Sequence, residues 1–462
     1  VITRAVLDER VGEWGLRDDV VEKDYVLGWL LWGIGANKSL GDSWIFKGGT
    51  CLKKCYIETY RFSEDLDFTV LPHGPIAPED VLPLISEVLG NVTEACGIDF
   101  SVQEPKLRLR PGGGTAEGRI YYRGPRGAPT PARIKLDLSA DEILARPPVL
   151  RPIAHAFPDE LPAPAEVRCY GFEELFAEKI RAMGERSRPR DLYDIVNLFR
   201  REDLRLEQEL IRSTLERKCE SKGIAIPTQA DISSSPLRVE LESEWENMLG
   251  HQLPVLPPFE QFWEEAKVLF QWLEGEAIEE PVEAIGAMAS EDRTWSPPPT
   301  LATWGRASLE VVRFAGVNHL LIELGYNGST RLIEPYSLRR SSTGALLLYG
   351  IRADSREIRC YRVDRIQSVK ATTQPFQPVY AIEFGSSGSL AAPLVRRRAG
   401  IPRLGPRRST ARRSRSGHTY VIRCTTCGKE FRRKTRSTAM RKHKAPGGLP
   451  CPGRRGQLVR TV

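Results

Sequence analysis

One short stretch restricts this chain more than any other. Arg61-Phe-Ser-Glu-Asp-Leu-Asp-Phe-Thr-Val70 ends in strict alternation. Successive side chains of a strand point to opposite faces, so Asp65 and Asp67 share one face while Leu66, Phe68 and Val70 take the other. The apolar set has to be buried, which predicts a half-buried sheet strand. Two carboxylates held this close repel each other at neutral pH, and a hard divalent cation removes that repulsion by accepting their oxygens. For an isolated Asp-x-Asp the alternative is a solvated edge strand. Here, however, Ser43-Trp-Ile-Phe-Lys47 predicts a short strand upstream, followed by a Gly48-Gly49-Thr50 turn and a helix from about Cys51. Glycines at a strand-to-helix turn let backbone N–H groups approach a phosphate, and the helix start adds positive potential. The combination favours metal and phosphate binding over an edge strand.

A two-metal site takes a third carboxylate. Ala132-Arg-Ile-Lys-Leu-Asp-Leu-Ser139 supplies Asp137, with Ile134, Leu136 and Leu138 pointing the other way. Asp137 joins the pair if its strand neighbours the Asp65 strand. Further on, Gly171–Met183 predicts an amphipathic helix whose apolar stripe is Phe172, Leu175, Phe176, Ile180 and Met183. Lys179 falls on that stripe, where a cation either meets an anion or snorkels to the surface. The next helix buries Leu192, Ile195, Val196 and Phe199. Asp191 near its start suits an N-cap or dipole partner. Asp194 is left with two roles, orienting Lys179 or acting as a base.

These residues carry a resemblance. Phe46-Lys-Gly-Gly-Thr-Cys-Leu52, Arg61-Phe-Ser-Glu-Asp-Leu-Asp-Phe68, Arg186-Ser-Arg-Pro-Arg-Asp-Leu-Tyr-Asp194 and the opening Val21-Glu-Lys-Asp-Tyr25 resemble the AbiEii/AbiGii toxin family of nucleotidyltransferases, of the DNA polymerase β superfold. The resemblance covers roughly the first half of the chain. The fifteen residues Thr50 to Glu64 between Gly49 and Asp65 are somewhat more than the superfamily usually has. It implies an α+β fold and an enzyme that moves NMP from an NTP to an acceptor hydroxyl. RNA is the expected acceptor, with the tRNA 3′ end a candidate, in a toxin or phage-defence role with a cognate antitoxin. It implies two Mg²⁺ held by Asp65, Asp67 and Asp137, NTP contacts at Gly48, Gly49, Thr50, Arg61 and Ser63, and catalytic roles for Lys179, facing the active site, and Asp194.

Charge divides the chain. Residues 391–462 carry 21 Lys+Arg against one acid, a net of +20, and the other 390 residues carry 46 basic and 59 acidic side chains, a net of −13. A basic tail on an acidic body expects a polyanionic partner, RNA or DNA. No apolar run is long enough for a membrane helix, and the start of the chain, at Val1, lacks the layout of a secretory signal. Nine Cys are too few for a disulfide scaffold in a chain this long, so a reduced, cytoplasmic compartment is expected.

Composition sets the remaining boundaries. A transferase domain over 1–290 ends in a helical bundle, and Trp295-Ser-Pro-Pro-Pro-Thr300 marks a linker over 291–303. Residues 304–385 show strand-like runs at Leu309–Phe314, His319–Leu324, Ala345–Ile351 and Glu357–Val363. Leu324-Gly-Tyr-Asn, Arg331-Leu-Ile-Glu-Pro-Tyr-Ser-Leu338 and Leu346-Leu-Leu-Tyr-Gly350 in this segment resemble a WYL domain, a small Sm-like β-barrel. The name-giving triplet is Leu346-Leu347-Leu348 here. That resemblance implies nucleic-acid or ligand sensing through Tyr349, Arg359, Arg362 and Arg365. A structural barrel with solvated arginines is the alternative.

A basic linker over 386–416 precedes a Cys/His module over 417–462. Cys424, Cys427, His443 and Cys451 have the order C-x2-C-x15-H-x7-C, suited to one structural Zn²⁺, with His418 a spare ligand. Arg432, Arg433 and Lys434 would present charge to phosphates. A non-enzymatic nucleic-acid-binding regulator is the rival class, and the three converging acids speak against it.

Overall fold

The computed structural model describes residues 1–57, 61–201, 207–276, 285, 308–340, 345–384, 420–433 and 436–461. Both linkers, His418 and Lys434 lie outside the described residues. The chain separates into two compact units, Val1–Pro393 and Leu394–Val462.

The first unit opens with helices α1 (Arg4–Trp14), α2 (Asp18–Ala36) and α3 (Lys38–Ser43). Strand β1 (Trp44–Lys47) leads into a four-residue helix α4 (Gly48–Cys51), which continues as a π-turn over Leu52–Tyr56. The helix thus begins at Gly48, earlier than expected from the glycines, because Gly48 takes a left-handed φ of +82° and turns the chain within one residue. Strand β2 (Asp65–Val70), helix α5 (Pro78–Cys96), and strands β3 (Lys106–Leu109), β4 (Thr115–Tyr122), β5 (Ala132–Ser139), β6 (Val149–Pro152) and β7 (Glu166–Cys169) follow. The seven strands form one sheet in the order β3-β4-β5-β2-β1-β7-β6. β2 runs antiparallel to β1 and parallel to β5. This mixed pairing leaves the three strands that carry the acids and the glycine turn side by side at the centre. One sheet face is core: Phe46, Leu66, Phe68, Ile134, Leu136 and Leu138 are buried in it.

Helices α6 (Phe172–Arg186), α7 (Pro189–Phe199), α8 (Gln208–Lys222), α9 (Gln229–Ser233), α10 (Arg238–Leu249) and α11 (Phe259–Leu273) complete the expected bundle. α7 packs against α6, α10 and α11. Tyr193 of α7 stacks on Phe262 of α11 with ring centroids 5.1 Å apart.

Still within this unit, α12 (Leu309–Val317) precedes five strands, β8 (Leu320–Tyr326), β9 (Ser329–Arg340), β10 (Leu346–Arg352), β11 (Ile358–Arg362) and β12 (Ile366–Pro375). The strand expected over Leu309–Phe314 is therefore a helix. Its β-branched residues suggested a strand, but the Ser308 hydroxyl caps the Val311 N–H, and Leu309, Val312 and Ala315 repeat at helical spacing into the core. The five strands pair antiparallel in the order β11-β10-β9-β8-β12. Among the described residues the outer strands β11 and β12 do not pair with each other, so the expected closed Sm-like barrel is replaced by an open sheet. α12 packs across it.

The second unit holds β13 (Tyr420–Cys424), β14 (Glu430–Arg433), β15 (His443–Lys444), β16 (Pro450–Cys451) and β17 (Gly456–Thr461). Its small core consists of Ile422, Cys424, Met440 and Cys451.

Candidate active site and Cys/His cluster

The register brings the acids together. Asp67 lies opposite Lys47 on one side and Asp137 on the other, and Asp65 lies opposite Lys135. Asp65, Asp67 and Asp137 thus occupy the same face of adjoining strands, as their alternation requires. Among the described residues, neither the Asp65 nor the Asp67 carboxylate has a hydrogen-bond or ion-pair partner. Asp137 accepts from the Lys135 ammonium at 2.6 Å.

Burial raises the Asp67 carboxyl. The Lys47 charge opposes this, Asp137 and Asp65 add to it, and the group stands at about 6. Burial likewise raises Asp65, against the pull of Lys135 and with the push of Asp137. A carboxylate group that is partly desolvated, crowded by its own kind and short of donors suits a hard divalent cation.

The glycines are needed for space. A Cβ on Gly48 would lie 2.3 Å from Asp67 Oδ2, and one on Gly49 would lie 2.7 Å from an Arg61 nitrogen and 3.1 Å from Ser63 Oγ. The turn therefore sits directly on the acids, with Ser63 and Arg61 beside it. The Thr50 hydroxyl does not face outward: it donates to the Asp65 carbonyl and ties the turn to β2.

Arg61 and Lys179 are locked in a buried network. Arg61 Nε and Nη2 donate to the two Asp194 oxygens at 2.7 and 2.8 Å, and Nη1 donates to Gln252 Oε1 at 2.9 Å. Lys179 reaches Asp194 at 2.8 Å and Asp191 at 3.5 Å, and Arg186 donates to Asp191 at 2.8 Å. Burial alone would raise Asp194, but the Arg61 and Lys179 charges and hydrogen bonds hold it well below the usual carboxylate range. Lys179 is thus a paired core cation and does not snorkel. Of the two roles open to Asp194, its geometry is that of a counter-ion that orients Arg61 and Lys179. Asp191 is gripped by Lys179 and Arg186 as well as standing in the first turn of its helix.

Several neighbours were assigned no role from the sequence. Lys47 faces Asp67 and is held by Glu142, which also accepts from Thr69 at 3.2 Å. Arg190 lies close enough to Asp65 to feel its charge. The opening motif acquires a physical role. Asp24 pairs with buried Lys54 at 2.8 Å just after the glycine turn, and Lys23 pairs with Glu64 just before Asp65. The motif therefore grips the chain at Lys54 and at Glu64. Lys47 alone could have been suspected, since a polar residue at a strand end before Gly-Gly shares the acids' neighbourhood.

The WYL-like residues do not form one cluster. Tyr349 is half-buried, with the Arg339 guanidinium 5.3 Å from its ring centre. Arg362 lies opposite Leu347 and Arg359 opposite Gly350, so alternation sends them to different faces. Each is exposed and paired with a neighbouring acid, Glu357 for Arg359 and Asp364 for Arg362. Arg365 is exposed.

In the second unit the ligand atoms of Cys424, Cys427, His443 and Cys451 all lie within 4.8 Å of one another. His443 Nδ1 donates to the Arg441 carbonyl at 2.8 Å, which turns Nε2 toward Cys427 Sγ at 3.3 Å. Hydrogen bonds from the backbone of Cys427 and then Thr426 lower the Cys424 thiol to about 6, whereas desolvation raises the Cys451 thiol against the Gly453 N–H that donates to its Sγ at 3.3 Å. Thiolate-favouring contacts and an oriented imidazole are what a tetrahedral metal centre requires. Arg432 is exposed, whereas Arg433 is bound to the Ala439 carbonyl.

Acids on adjoining central strands beside a glycine turn, backed by a helical bundle, define the class as an α+β nucleotidyltransferase. The chain belongs to the AbiEii family: the model described as nucleotidyl transferase AbiEii toxin, type IV toxin–antitoxin system, matches residues 29–265. Among solved structures it is similar to MenT4, a nucleotidyltransferase toxin from Mycobacterium tuberculosis H37Rv, at 23% identity over 60% of this chain and 91% of that one, with a TM-score of 0.39. No curated protein matches. No helix among the described residues is long and apolar enough to cross a membrane.

Proposed function

We propose that the first unit transfers a nucleoside monophosphate from an NTP to a hydroxyl of RNA, with a tRNA 3′ end a candidate acceptor, in a toxin role countered by an antitoxin. The observation that carries this is the register Asp67↔Asp137 with Asp65 on the same face, under a glycine turn with no room for a side chain. The acceptor oxygen attacks the α-phosphorus, the bond to the β-phosphate oxygen breaks, and pyrophosphate leaves.

Asp65 and Asp67 would hold two Mg²⁺, and Asp137 the one beside the acceptor. Bound there, the ions supply charge neutralisation to carboxylates and phosphate oxygens. Gly48 and Gly49 receive the outer phosphates through backbone N–H groups, and Lys47 adds positive charge beside Asp67. Arg61, Lys179 and Asp194 act from below, keeping the turn and α7 in register with the acids, so that positioning is inherited rather than made on binding. Ser63, beside Gly49, is within the same phosphate-facing group.

The Cys/His cluster would hold one structural Zn²⁺ and so keep the small second unit folded. Its exposed arginines and the net +20 of residues 391–462 suit recruitment of nucleic acid. The open five-stranded sheet is a candidate sensing surface of the WYL kind, with Arg359 on one of its faces and Arg362 on the other. Incubating the full chain with each labelled NTP in turn and total RNA, with Mg²⁺ and with chelator, tests the proposal. Mg²⁺-dependent label in RNA is expected, and no label from any NTP would refute it.

A further inference from the structure

Three cysteines beneath the glycine turn have no part in the chemistry above. Cys51 closes α4, Cys55 lies in the π-turn that follows, and Cys169 ends β7, opposite Phe46 of β1. Their exposures are 0%, 6% and 0%. Their sulfur atoms all lie within 4.8 Å of one another. Cys96 and Cys219, also buried, belong to no such group among the described residues. Core packing alone asks for apolar contact and does not ask three sulfurs from α4, the π-turn and β7 to meet. A π-turn is itself rare, and such turns concentrate at functional sites.

The sulfur spacing suits a bound cation. Metal–sulfur bonds of about 2.3 Å set three sulfurs around one ion at about 4 Å from each other, within the spacing seen here. Soft sulfur ligands select zinc-class or copper-class ions over Mg²⁺. Charge decides between them. Three thiolates and a divalent ion leave one negative charge, and Arg151 stands beside it, donating to the Cys55 carbonyl at 3.2 Å with its guanidinium 4.7 Å from the Tyr56 ring centre. The sum is neutral, which a buried site requires; a monovalent ion would leave uncompensated charge. Tyr56 closes the remaining side, its hydroxyl 3.9 Å from Cys169 Sγ and donating to the Tyr170 carbonyl at 2.7 Å.

We propose that Cys51, Cys55 and Cys169 form a second metal centre, a three-thiolate site for a thiophilic divalent cation of the zinc class. The ion joins α4 and the π-turn to β7. It thereby braces the Gly48–Thr50 turn from the core side, since Cys51 directly follows Thr50, whose hydroxyl holds β2. The site does not depend on nucleotide transfer being the activity.

The test uses the full chain carrying Cys424→Ser and Cys427→Ser, which leaves this core untouched and dismantles the other cluster. After incubation with Zn²⁺ and removal of loose ions, elemental analysis should find one Zn²⁺ per chain. Replacing Zn²⁺ with Co²⁺ should give sulfur-to-metal absorption in the near ultraviolet. Adding Cys169→Ala should abolish both. A folded double variant that retains no Zn²⁺ and shows no Co²⁺–sulfur absorption would overturn the proposal, as would an unchanged ion count after Cys169→Ala.

Discussion

Asp67 in the metal-free protein is a charge held against its environment, and replacing it with Asn should reveal the cost. Its carboxyl stands at about 6, against an ordinary 3.8, because burial and the neighbouring acids outweigh Lys47. A group raised on folding contributes stability that is complete below its unfolded value and lost as pH rises through its folded value. Wild type should therefore lose stability relative to Asp67→Asn between about pH 4 and pH 6, and the gap should then stay level. The displacement of about two pH units, at about 1.4 kcal/mol each, sets the gap gained across that window at about 3 kcal/mol. All nine tryptophans lie before residue 393, so tryptophan fluorescence during urea unfolding reports on the first unit of the intact chain. The series is run with chelator and again with Mg²⁺. Added Mg²⁺ should stabilise wild type and not the variant, narrowing the gap above about pH 6, because cation and proton compete for the same oxygens. A stability difference independent of pH would refute the raised carboxyl, and equal Mg²⁺ stabilisation of both proteins would refute the cation site.

Lys179→Met should lower the stability of the first unit by up to about 3–5 kcal/mol, since it leaves Asp194 and Asp191 buried with one cation fewer; an unchanged urea midpoint would contradict the network. Cys451→Ser should lose the Zn²⁺ of the second unit without altering tryptophan fluorescence; metal content equal to wild type by elemental analysis would count against the cluster. Deleting residues 386–462 should weaken RNA binding and flatten its salt dependence, each lost phosphate contact lowering the log–log slope by about 0.9 for a duplex or 0.7 for a single strand. Affinity and slope measured across a salt series that match the full chain would exclude recruitment by the tail.

Much of the site was legible because its signals are local. Alternation alone set the faces of β2 and β5, and the spacing of Cys424, Cys427, His443 and Cys451 set a cluster within one short segment. The strand order β5-β2-β1 came from no local pattern, yet it decides that Asp137 meets Asp67 and that Lys47 joins them. Lys179 was found from its place on an apolar stripe, but its partners lie one helix further on and cannot be read from periodicity. The family resemblance implied an NTP contact at Arg61; only the fold brings Asp194 and Gln252 to it. The Leu309–Phe314 segment misled for a different reason. Val311 and Val312 favour strands intrinsically, and the cap at Ser308 with burial against the sheet overrode that preference. Cys51, Cys55 and Cys169 lie more than a hundred residues apart at their extremes, so their meeting is a product of topology.

In the proposed reaction, Asp65 and Asp67 carry nucleotidyl transfer. The most direct measurement follows pyrophosphate release and RNA labelling together, using an NTP labelled at the α-phosphate, for wild type, Asp65→Ala and Asp67→Ala. Wild type should release one pyrophosphate for each label gained, and each variant should fall by at least about 100-fold while its tryptophan fluorescence stays native. Wild-type rates in either folded variant, or label without pyrophosphate, would contradict it.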